Sequence, residues 1–221
     1  MNPRKKYKVL SAAALVLFAT IAVVGYNNIS PSEASGRGSY KATYTCGQNG
    51  KTLCTVGAIG PDKGTIFFID YHNQYASFNF LEAAPVGWQV DRATVDPILP
   101  WCSSADIVTQ QQLNNWTNRA VGKGASNTTE MLKVCRSGAA NAIDEYDKSS
   151  RTRVRDWFLP STGELILMAN NVQGLADLTA TEYWSSSEFS NDGAWVESIG
   201  RGYQGSAAKT SLLAVRPIRS F

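Results

Sequence analysis

Hydrophobic and polar positions follow two different spacings along the chain, and together they predict a mixed α+β fold. In the first half, apolar runs of strand length are bounded by turn residues or proline, at Thr65–Ile69 and Asn79–Pro85. In the last third, short strand-like segments recur at Tyr183–Ser187, Ala194–Ile199 and Leu212–Ile218. The pattern predicts a mostly antiparallel sheet of short strands.

Helical spacing of apolar residues lies between these two groups of strands. It predicts one helix over Ala105–Ala120 and a second that begins at Asn127, with Glu130 at its third position, and continues to Ile143. The segment Ser161–Glu164 has the form of a capping box, in which the serine and the glutamate bond to backbone N–H groups at a helix start. Two or three helices are therefore expected to pack on the sheet.

The first 34 residues differ from the rest of the chain and are typical of an export signal. Four basic residues precede Val9–Gly25, which carries no charge, and Ser32–Ala34 offers small residues where a signal peptidase reads the chain. The uncharged run is at the short limit for crossing a bilayer, so an uncleaved membrane anchor through residues 9–25 is the alternative. Both interpretations place the protein outside the cytoplasm, secreted or at the cell surface. Residues 35–39 are then a short linker, and residues 40–221 form the folded domain.

The charge balance of the folded part gives no support to nucleic acid as a partner. The leader holds four of the 21 lysines and arginines and one of the 18 acidic residues, which leaves 17 of each sign in the remainder. The basic net charge of the whole chain therefore belongs to the leader. Nothing in the bulk charge favours binding to nucleic acid.

Four cysteines, an even number, predict disulfides in an exported chain. Cys46 and Cys54 are close enough to close a hairpin whose turn is Asn49-Gly50. That pairing leaves Cys102 with Cys135, although four cysteines allow three pairings and the spacing alone does not exclude the other two.

The sequence offers little that would support catalysis. The single histidine, His72, lies in a polar turn, and the usual nucleotide-binding, metalloprotease and serine-hydrolase motifs are absent. The serine run Ser185–Ser187 is read as small polar residues on a strand, with alternate side chains pointing to opposite faces. No enzyme activity, cofactor or metal site is therefore predicted.

Several short motifs in a fixed order make the chain similar to a known family. They are "IGPDKGTIFFID", "LEAAP", "NTTEMLKVC", "DWFLPSTGEL", "YWSSSE", "AW" and "VRPIRSF". In order and spacing they resemble the Lcl C-terminal domain family, named after a bacterial collagen-like adhesin, over about Val56 to Phe221. The resemblance implies a C-type-lectin-like fold and a surface adhesin. Some members of the family are implicated in glycosaminoglycan binding, and some are diversified by retroelements.

Two departures limit what the resemblance implies. The EPN and WND motifs of classical C-type lectins are missing, so calcium-dependent sugar binding is not implied. The late cysteine pair of the related formylglycine oxidase is also missing. The shared residues Trp157, Leu159, Glu164, Trp184, Trp195 and Arg216 are expected to hold the fold, with Arg216 paired to a buried acid.

The aromatic, serine-rich segment Glu182–Gly205 is the predicted ligand-binding surface. By alternation, Trp184 and Trp195 are expected to face the core, with Ser185 and Ser187 on the other side or at the edge. The residues left for loops and outer faces are Phe189, Asn191, Asp192, Glu197, Arg201, Tyr203 and Gln204. Their composition is that of a paratope.

The predicted function is a non-catalytic, exported binding module that recognises an extracellular glycan or a protein. Two alternatives are a structural subunit of a surface layer or appendage, and a retroelement-diversified receptor domain. Association of identical copies is left open.

Overall fold

The computed structural model describes residues 45–46, 52–90, 93–103, 116–149, 152, 154–171, 178, 180–199 and 202–221. All of them belong to one unit, Ala42–Phe221. The leader, the linker, the Asn49-Gly50 turn, most of the helix predicted from Ala105 and the candidate residue Arg201 lie outside the described residues.

Ten strands and three α-helices are formed by the described residues. The strands are Thr45–Cys46 (β1), Thr52–Leu53 (β2), Thr65–Ile69 (β3), Phe80–Ala83 (β4), Ile98–Leu99 (β5), Glu182–Glu188 (β6), Gly193–Ser198 (β7), Tyr203–Ala208 (β8), Leu213–Ala214 (β9) and Ile218–Ser220 (β10). The helices are Gly124–Val134 (α1), Ala139–Lys148 (α2) and Thr162–Asn171 (α3), preceded by a 3-10 helix over Trp116–Arg119. Within these ranges, no helix combines the length and the apolar character needed to cross a bilayer.

The strands form three sheets, and their pairing confirms the predicted mostly antiparallel α+β class. A two-stranded sheet contains β1 and β2, a three-stranded sheet has the order β10-β4-β3, and a five-stranded sheet has the order β5-β9-β6-β7-β8. All pairs are antiparallel except β6 with β9, which meet in parallel at Tyr183 and Ala214. The segment predicted as one strand, Leu212–Ile218, is divided between two sheets. Pro217 lies in the break, where its missing N–H group cannot take part in a ladder.

Strands β6 and β7 of the five-stranded sheet are covered on both faces. On one face, Trp184 and Val196 belong to a core cluster that includes Met131 of α1 and Ile143 of α2. On the other face, Tyr183 belongs to a second cluster with residues of α3 and of the three-stranded sheet. This double coverage explains why nearly every residue of β6 and β7 is buried, including the polar ones.

The predicted helix from Asn127 to Ile143 is wrong in both its start and its length. Helix α1 begins three residues earlier, and Asn127 is buried inside it, where its side-chain amide donates to the Asn118 carbonyl at 2.7 Å. The helix stops before Cys135, whose backbone is extended, and α2 starts after Gly138 at φ 127°. Only glycine adopts that backbone conformation without strain, so the chain turns here between two separate helices.

The capping box at the start of α3 is confirmed. The Ser161 N–H donates to Glu164 Oε2 at 2.7 Å, and the Glu164 N–H donates to Ser161 Oγ at 3.3 Å. Glu164 is fully buried and also accepts the Gly122 N–H at 2.8 Å, so one carboxylate joins the starts of α1 and α3. Gly124 lies so close that a Cβ atom there would stand 2.3 Å from Glu164 Oε2. Burial raises the pKa of Glu164, and these N–H donors oppose that shift.

Replacing Ser161 by alanine should lower the free energy of unfolding by about 0.5–2 kcal/mol, the usual cost of losing an N-cap side chain. We expect a value in the upper part of that range, because the hydroxyl also donates to the Ala120 carbonyl at 2.8 Å. Urea denaturation measures the change, and ligand binding should be unaffected. An unfolding midpoint equal to that of the parent would show that the cap contributes nothing.

Both disulfides pair as predicted, Cys46 with Cys54 and Cys102 with Cys135. The first links β1 to the residue after β2. The second joins the chain after β5 to the end of α1, across a sequence separation of 33 residues. In the chain-entropy model a loop of this size contributes about 3–4 kcal/mol, so the second disulfide is the larger constraint on the unfolded chain.

Three buried ion pairs connect distant parts of the chain. Arg216 Nη2 lies 2.7 Å from Asp96 Oδ2, which confirms the buried acid expected for this arginine. Lys209 Nζ lies 2.7 Å from Glu188 Oε1, and both side chains are inaccessible to solvent. Arg219 Nη1 lies 3.0 Å from Glu82 Oε2. Such pairs are costly to break, because the remaining charge stays buried.

Candidate functional site

The three consecutive serines of β6 form internal hydrogen bonds and are almost completely buried. Ser185 Oγ donates to the Trp195 carbonyl at 2.8 Å, and Ser187 Oγ donates to the Asn118 carbonyl at 3.0 Å. Ser186 Oγ accepts the side-chain amide of Asn127 at 3.1 Å. The prediction that Ser185 and Ser187 point away from Trp184 holds. Their face is not exposed, however, because α3 covers it.

Trp195 does not face the same side of the sheet as Trp184, which corrects the prediction for this residue. Trp184 pairs with Val196 across β6 and β7, so Trp195, one position earlier, must point to the opposite face. Trp184 is fully buried there, whereas Trp195 is only half-buried. The exposed part of Trp195 is the starting point of a candidate ligand-binding surface.

Arg119, at the end of the 3-10 helix, lies over the Trp195 ring. Its guanidinium carbon is 3.7 Å from the ring centroid, a close cation–π contact. Its Nη2 donates to Gln204 Oε1 on β8 at 2.8 Å. An arginine held between an aromatic ring and an amide loses little further conformational entropy when it binds a ligand.

Phe189 contacts Trp195 on another side and extends the surface toward the turn between β6 and β7. The two rings meet edge to face, with centroids 5.0 Å apart, and Phe189 is 51% exposed. Asn191 and Asp192 follow in the same turn and are exposed, as predicted. Ser190 Oγ donates to Asp192 Oδ1 at 2.7 Å, and this hydrogen bond lowers the pKa of Asp192. We call Arg119, Trp195, Phe189 and Gln204 the Trp195 platform.

Tyr203 lies on the opposite face of the sheet from the platform, although it is adjacent to Gln204 in sequence. It pairs with Ser198, and its hydroxyl donates to Glu182 Oε1 at 3.4 Å across β7. Tyr203 is 46% exposed, as predicted for a surface residue. The predicted set is therefore brought together only in part, with Phe189 and Gln204 on the platform and Tyr203 behind it.

Glu197 was predicted on an outer face, and the structure contradicts this. The residue is only 4% exposed, because it pairs with Tyr183 and Gln204 in the middle of the sheet, on the face that α3 covers. Among the described residues its Oε2 atom has no hydrogen-bond partner. Burial raises the pKa of this carboxyl. Glu197 therefore shares a face of the sheet with Trp195 and Gln204 but is buried and does not belong to the exposed surface.

Replacing Glu197 by glutamine should stabilise the protein at neutral pH and have less effect in acid. A carboxyl whose pKa is raised by folding destabilises the fold once it ionises, so the cost appears as the pH rises above the usual value of about 4.3. The amide removes this cost because it carries no charge at any pH. Urea denaturation at about pH 7.5 and about pH 4 measures the difference.

The matched control for this prediction is Glu145→Gln, which removes an exposed carboxylate from α2. As a surface change it should alter stability by less than about 0.5 kcal/mol at both pH values. If Glu197→Gln behaves in the same way as this control, the buried carboxyl does not destabilise the fold.

Two of the four platform residues were not predicted there: Trp195 was expected to face the core, and Arg119 was not singled out at all. Arg119 lies within the segment predicted as a helix, far in sequence from Trp195, and only the fold brings the two together. The described ranges contain no group of three or more histidine, cysteine or acidic side chains that could hold a metal ion. The chemistry that the platform offers is thus a cation, an amide and two aromatic rings.

No family model and no curated protein matches the chain. Among solved structures, a crystal structure of a fimbrial protein from Bacteroides ovatus is similar to it, with 14% sequence identity and a TM-score of 0.43. The similarity covers 72% of this chain and 44% of the fimbrial protein, so the chain spans less than half of that protein's length. At this level the comparison assigns neither a family nor a function to the chain.

Proposed function

We propose that this protein is an exported, non-catalytic binding module of C-type-lectin-like fold, related to the Lcl C-terminal domain family. The Trp195 platform is its ligand-binding surface, and the ligand is an extracellular glycan or protein. Phe189, with Asn191 and Asp192 beside it, forms the exposed rim of that surface.

The observation that supports this proposal most is the stacking of Arg119 on Trp195 at 3.7 Å, with Gln204 fixing the guanidinium. Tryptophan and arginine are among the residues that dominate binding energy in recognition surfaces, and phenylalanine is enriched there. Trp195 of the platform lies on β7, a strand that is mostly buried, and rigid support of this kind is typical of recognition sites. A guanidinium in this position suits a carboxylate or a sulfate, the acidic groups found on many extracellular glycans and proteins.

Export is supported by the basic, apolar leader and by the two disulfides. Disulfides form and persist in oxidising compartments, whereas cytosolic thiols are kept reduced. The two pairs in this chain are therefore typical of a protein that works outside the cytoplasm.

The experiment that tests the function is a glycan and protein array probed first with the parent protein. The double variant Phe189→Ala and Gln204→Ala should then lose binding to any ligand found. It removes the exposed ring and the amide that positions Arg119. Thermal unfolding should change little, because both side chains are exposed.

The matched control is Tyr203→Ala, which removes an exposed aromatic ring from the other face of the same strand. It should leave binding unchanged. Normal binding by the double variant would exclude the platform as the ligand site. Absence of any ligand across acidic and neutral glycans and extracellular proteins would contradict the binding-module function itself.

A further inference from the structure

The edges of the two larger sheets differ in how well they are protected. Open edges invite pairing with another strand, and proteins protect them by covering, bulging or shortening them. The β10 edge is covered, because Phe158 and Ile218 exchange backbone hydrogen bonds. The β3 edge is bulged after Ile66 and is also bonded to Gly57 and Ala58. The β5 edge has only two residues and lies between prolines.

The β8 edge has none of these protections within the described part of the chain. It runs for six residues in unbroken register with β7, without a bulge. Its sequence, Tyr-Gln-Gly-Ser-Ala-Ala, contains no charge and no proline. The following residue, Lys209, is fully buried and so presents no charge at the edge.

The backbone groups that point outward from β8 follow from one hydrogen bond. The Lys209 N–H donates to the Asp192 carbonyl at 2.8 Å, so these two residues form a hydrogen-bonded pair of the antiparallel ladder. The adjacent pair, Gly193 and Ala208, is therefore a non-hydrogen-bonded pair, in which the N–H and C=O groups point away from the partner strand. Since the type alternates along an antiparallel ladder, Gln204, Ser206 and Ala208 direct their backbone groups to the open edge. All three residues are exposed.

We propose that β8 pairs with β8 of a second copy of this chain, antiparallel and with the two-fold axis at Ser206. In this register Ser206 faces its own counterpart and Gln204 faces Ala208 of the other copy. The facing Ser206 residues can exchange both backbone hydrogen bonds. The Ala208 N–H can donate to the Gln204 carbonyl of the other copy. The Ala208 carbonyl already accepts the Ser211 N–H at 2.7 Å, and its second lone pair is available to the Gln204 N–H of the other copy. The two five-stranded sheets then join into one continuous sheet through an isologous contact.

The strand's composition favours a second copy as the occupant. An antiparallel strand of the same sequence places only small or uncharged side chains opposite one another, so no like charges meet and no bulky groups collide. The part of the chain after the leader carries equal numbers of basic and acidic residues, so two copies do not repel each other through net charge. The contact uses the backbone of β8, whereas the Trp195 platform uses side chains, although Gln204 belongs to both and Ser206 pairs with Trp195.

Sedimentation velocity of the full chain over a wide concentration range tests the pairing. The parent should convert from monomer to dimer as concentration rises. Ser206→Pro should abolish the dimer, because it removes an outward N–H donor from each copy. It leaves the ladder to β7 intact, since that N–H does not point to β7. Ser206→Ala keeps the backbone donor and should dimerise as the parent does.

A charge-pair experiment tests the register and does not depend on the folding of the proline variant. Ser206→Lys and Ser206→Glu each place like charges opposite each other at the two-fold axis, so each should raise the dimer dissociation constant several-fold. An equimolar mixture of the two should form a heterodimer at least as tight as the parent dimer, because the facing charges are then opposite.

A parent protein that stays monomeric at every concentration would overturn the proposal. So would a parent dimer that the proline variant and both charge variants leave unchanged, because that dimer would use another surface. A mixture no tighter than the separate charge variants would rule out the register centred on Ser206. None of these outcomes bears on ligand binding, which the array measures independently.

Discussion

Arg216→Met should lower the free energy of unfolding by about 3–5 kcal/mol, the cost of leaving a buried carboxylate without its cation. Arg216 is 2% exposed and meets Asp96 through both Nε and Nη2, at 2.7–2.9 Å. A third contact, from Nη1 to the Ala84 carbonyl at 3.1 Å, ties the same side chain to the loop after β4. Methionine fills much of the volume but supplies no donor.

The partners of Asp96 show how much the structure depends on this carboxylate. It also accepts the Tyr183 hydroxyl at 2.7 Å, and together with burial this raises the pKa of Tyr183. The matched control is Lys148→Met, which breaks an exposed ion pair with Asp144 on α2 and should cost less than about 1 kcal/mol. Urea denaturation that gives equal losses for the two variants would contradict the proposed importance of the buried pair.

Lys209→Met should have an effect of the same order, about 3–5 kcal/mol, because it strands Glu188 in the interior. Both side chains have no solvent exposure, and Lys209 Nζ lies 4.8 Å from the centroid of the Trp101 ring. The backbone of Lys209 is fixed as well, since its carbonyl accepts the backbone N–H of Trp101 at 2.8 Å. The ammonium is thus held between a carboxylate and an aromatic ring.

The double variant Lys209→Met with Glu188→Gln separates two quantities. One is the destabilisation caused by an unpaired buried carboxylate, and the other is the net contribution of the ion pair to the free energy of unfolding. Apolar or neutral replacements of a whole buried pair are often neutral for stability, so the double variant should recover most of what the single variant loses. Urea unfolding of the parent, both singles and the double provides the full cycle. A double variant that is less stable than Lys209→Met would show that the pair itself is a large source of stability.

Local signals predicted the parts of the fold that depend on local chemistry. The capping box at Ser161 needs only the serine and the glutamate three positions later, and strand Thr65–Ile69 needs only its apolar run. Spacing within one hairpin favoured the Cys46–Cys54 pair, and that pair left Cys102 with Cys135. The break after α1 was missed because helical spacing of apolar residues continues through Cys135 and Gly138, while the backbone there turns away.

The candidate site depends on contacts that no local pattern encodes. Alternation correctly gives opposite faces to neighbouring strand residues, but it does not say which face another element covers. Glu197 was therefore misplaced, because α3 covers a face that was expected to be open. Arg119 was missed for the same reason, since its contact with Trp195 exists only after the 3-10 helix and β7 are brought together.

The buried arginines near the end of the chain also determine the order in which the molecule can fold. Arg219 meets Glu82 across a separation of 137 residues, and Arg216 meets Asp96 across 120. Contacts at such separations form late and slow the folding reaction, because a long loop must close before they contribute. Until that closure, the three-stranded sheet lacks β10, although β3 can already pair with β4. We therefore expect closure of these long loops to lengthen the time during which the newly made chain is open to aggregation and proteolysis.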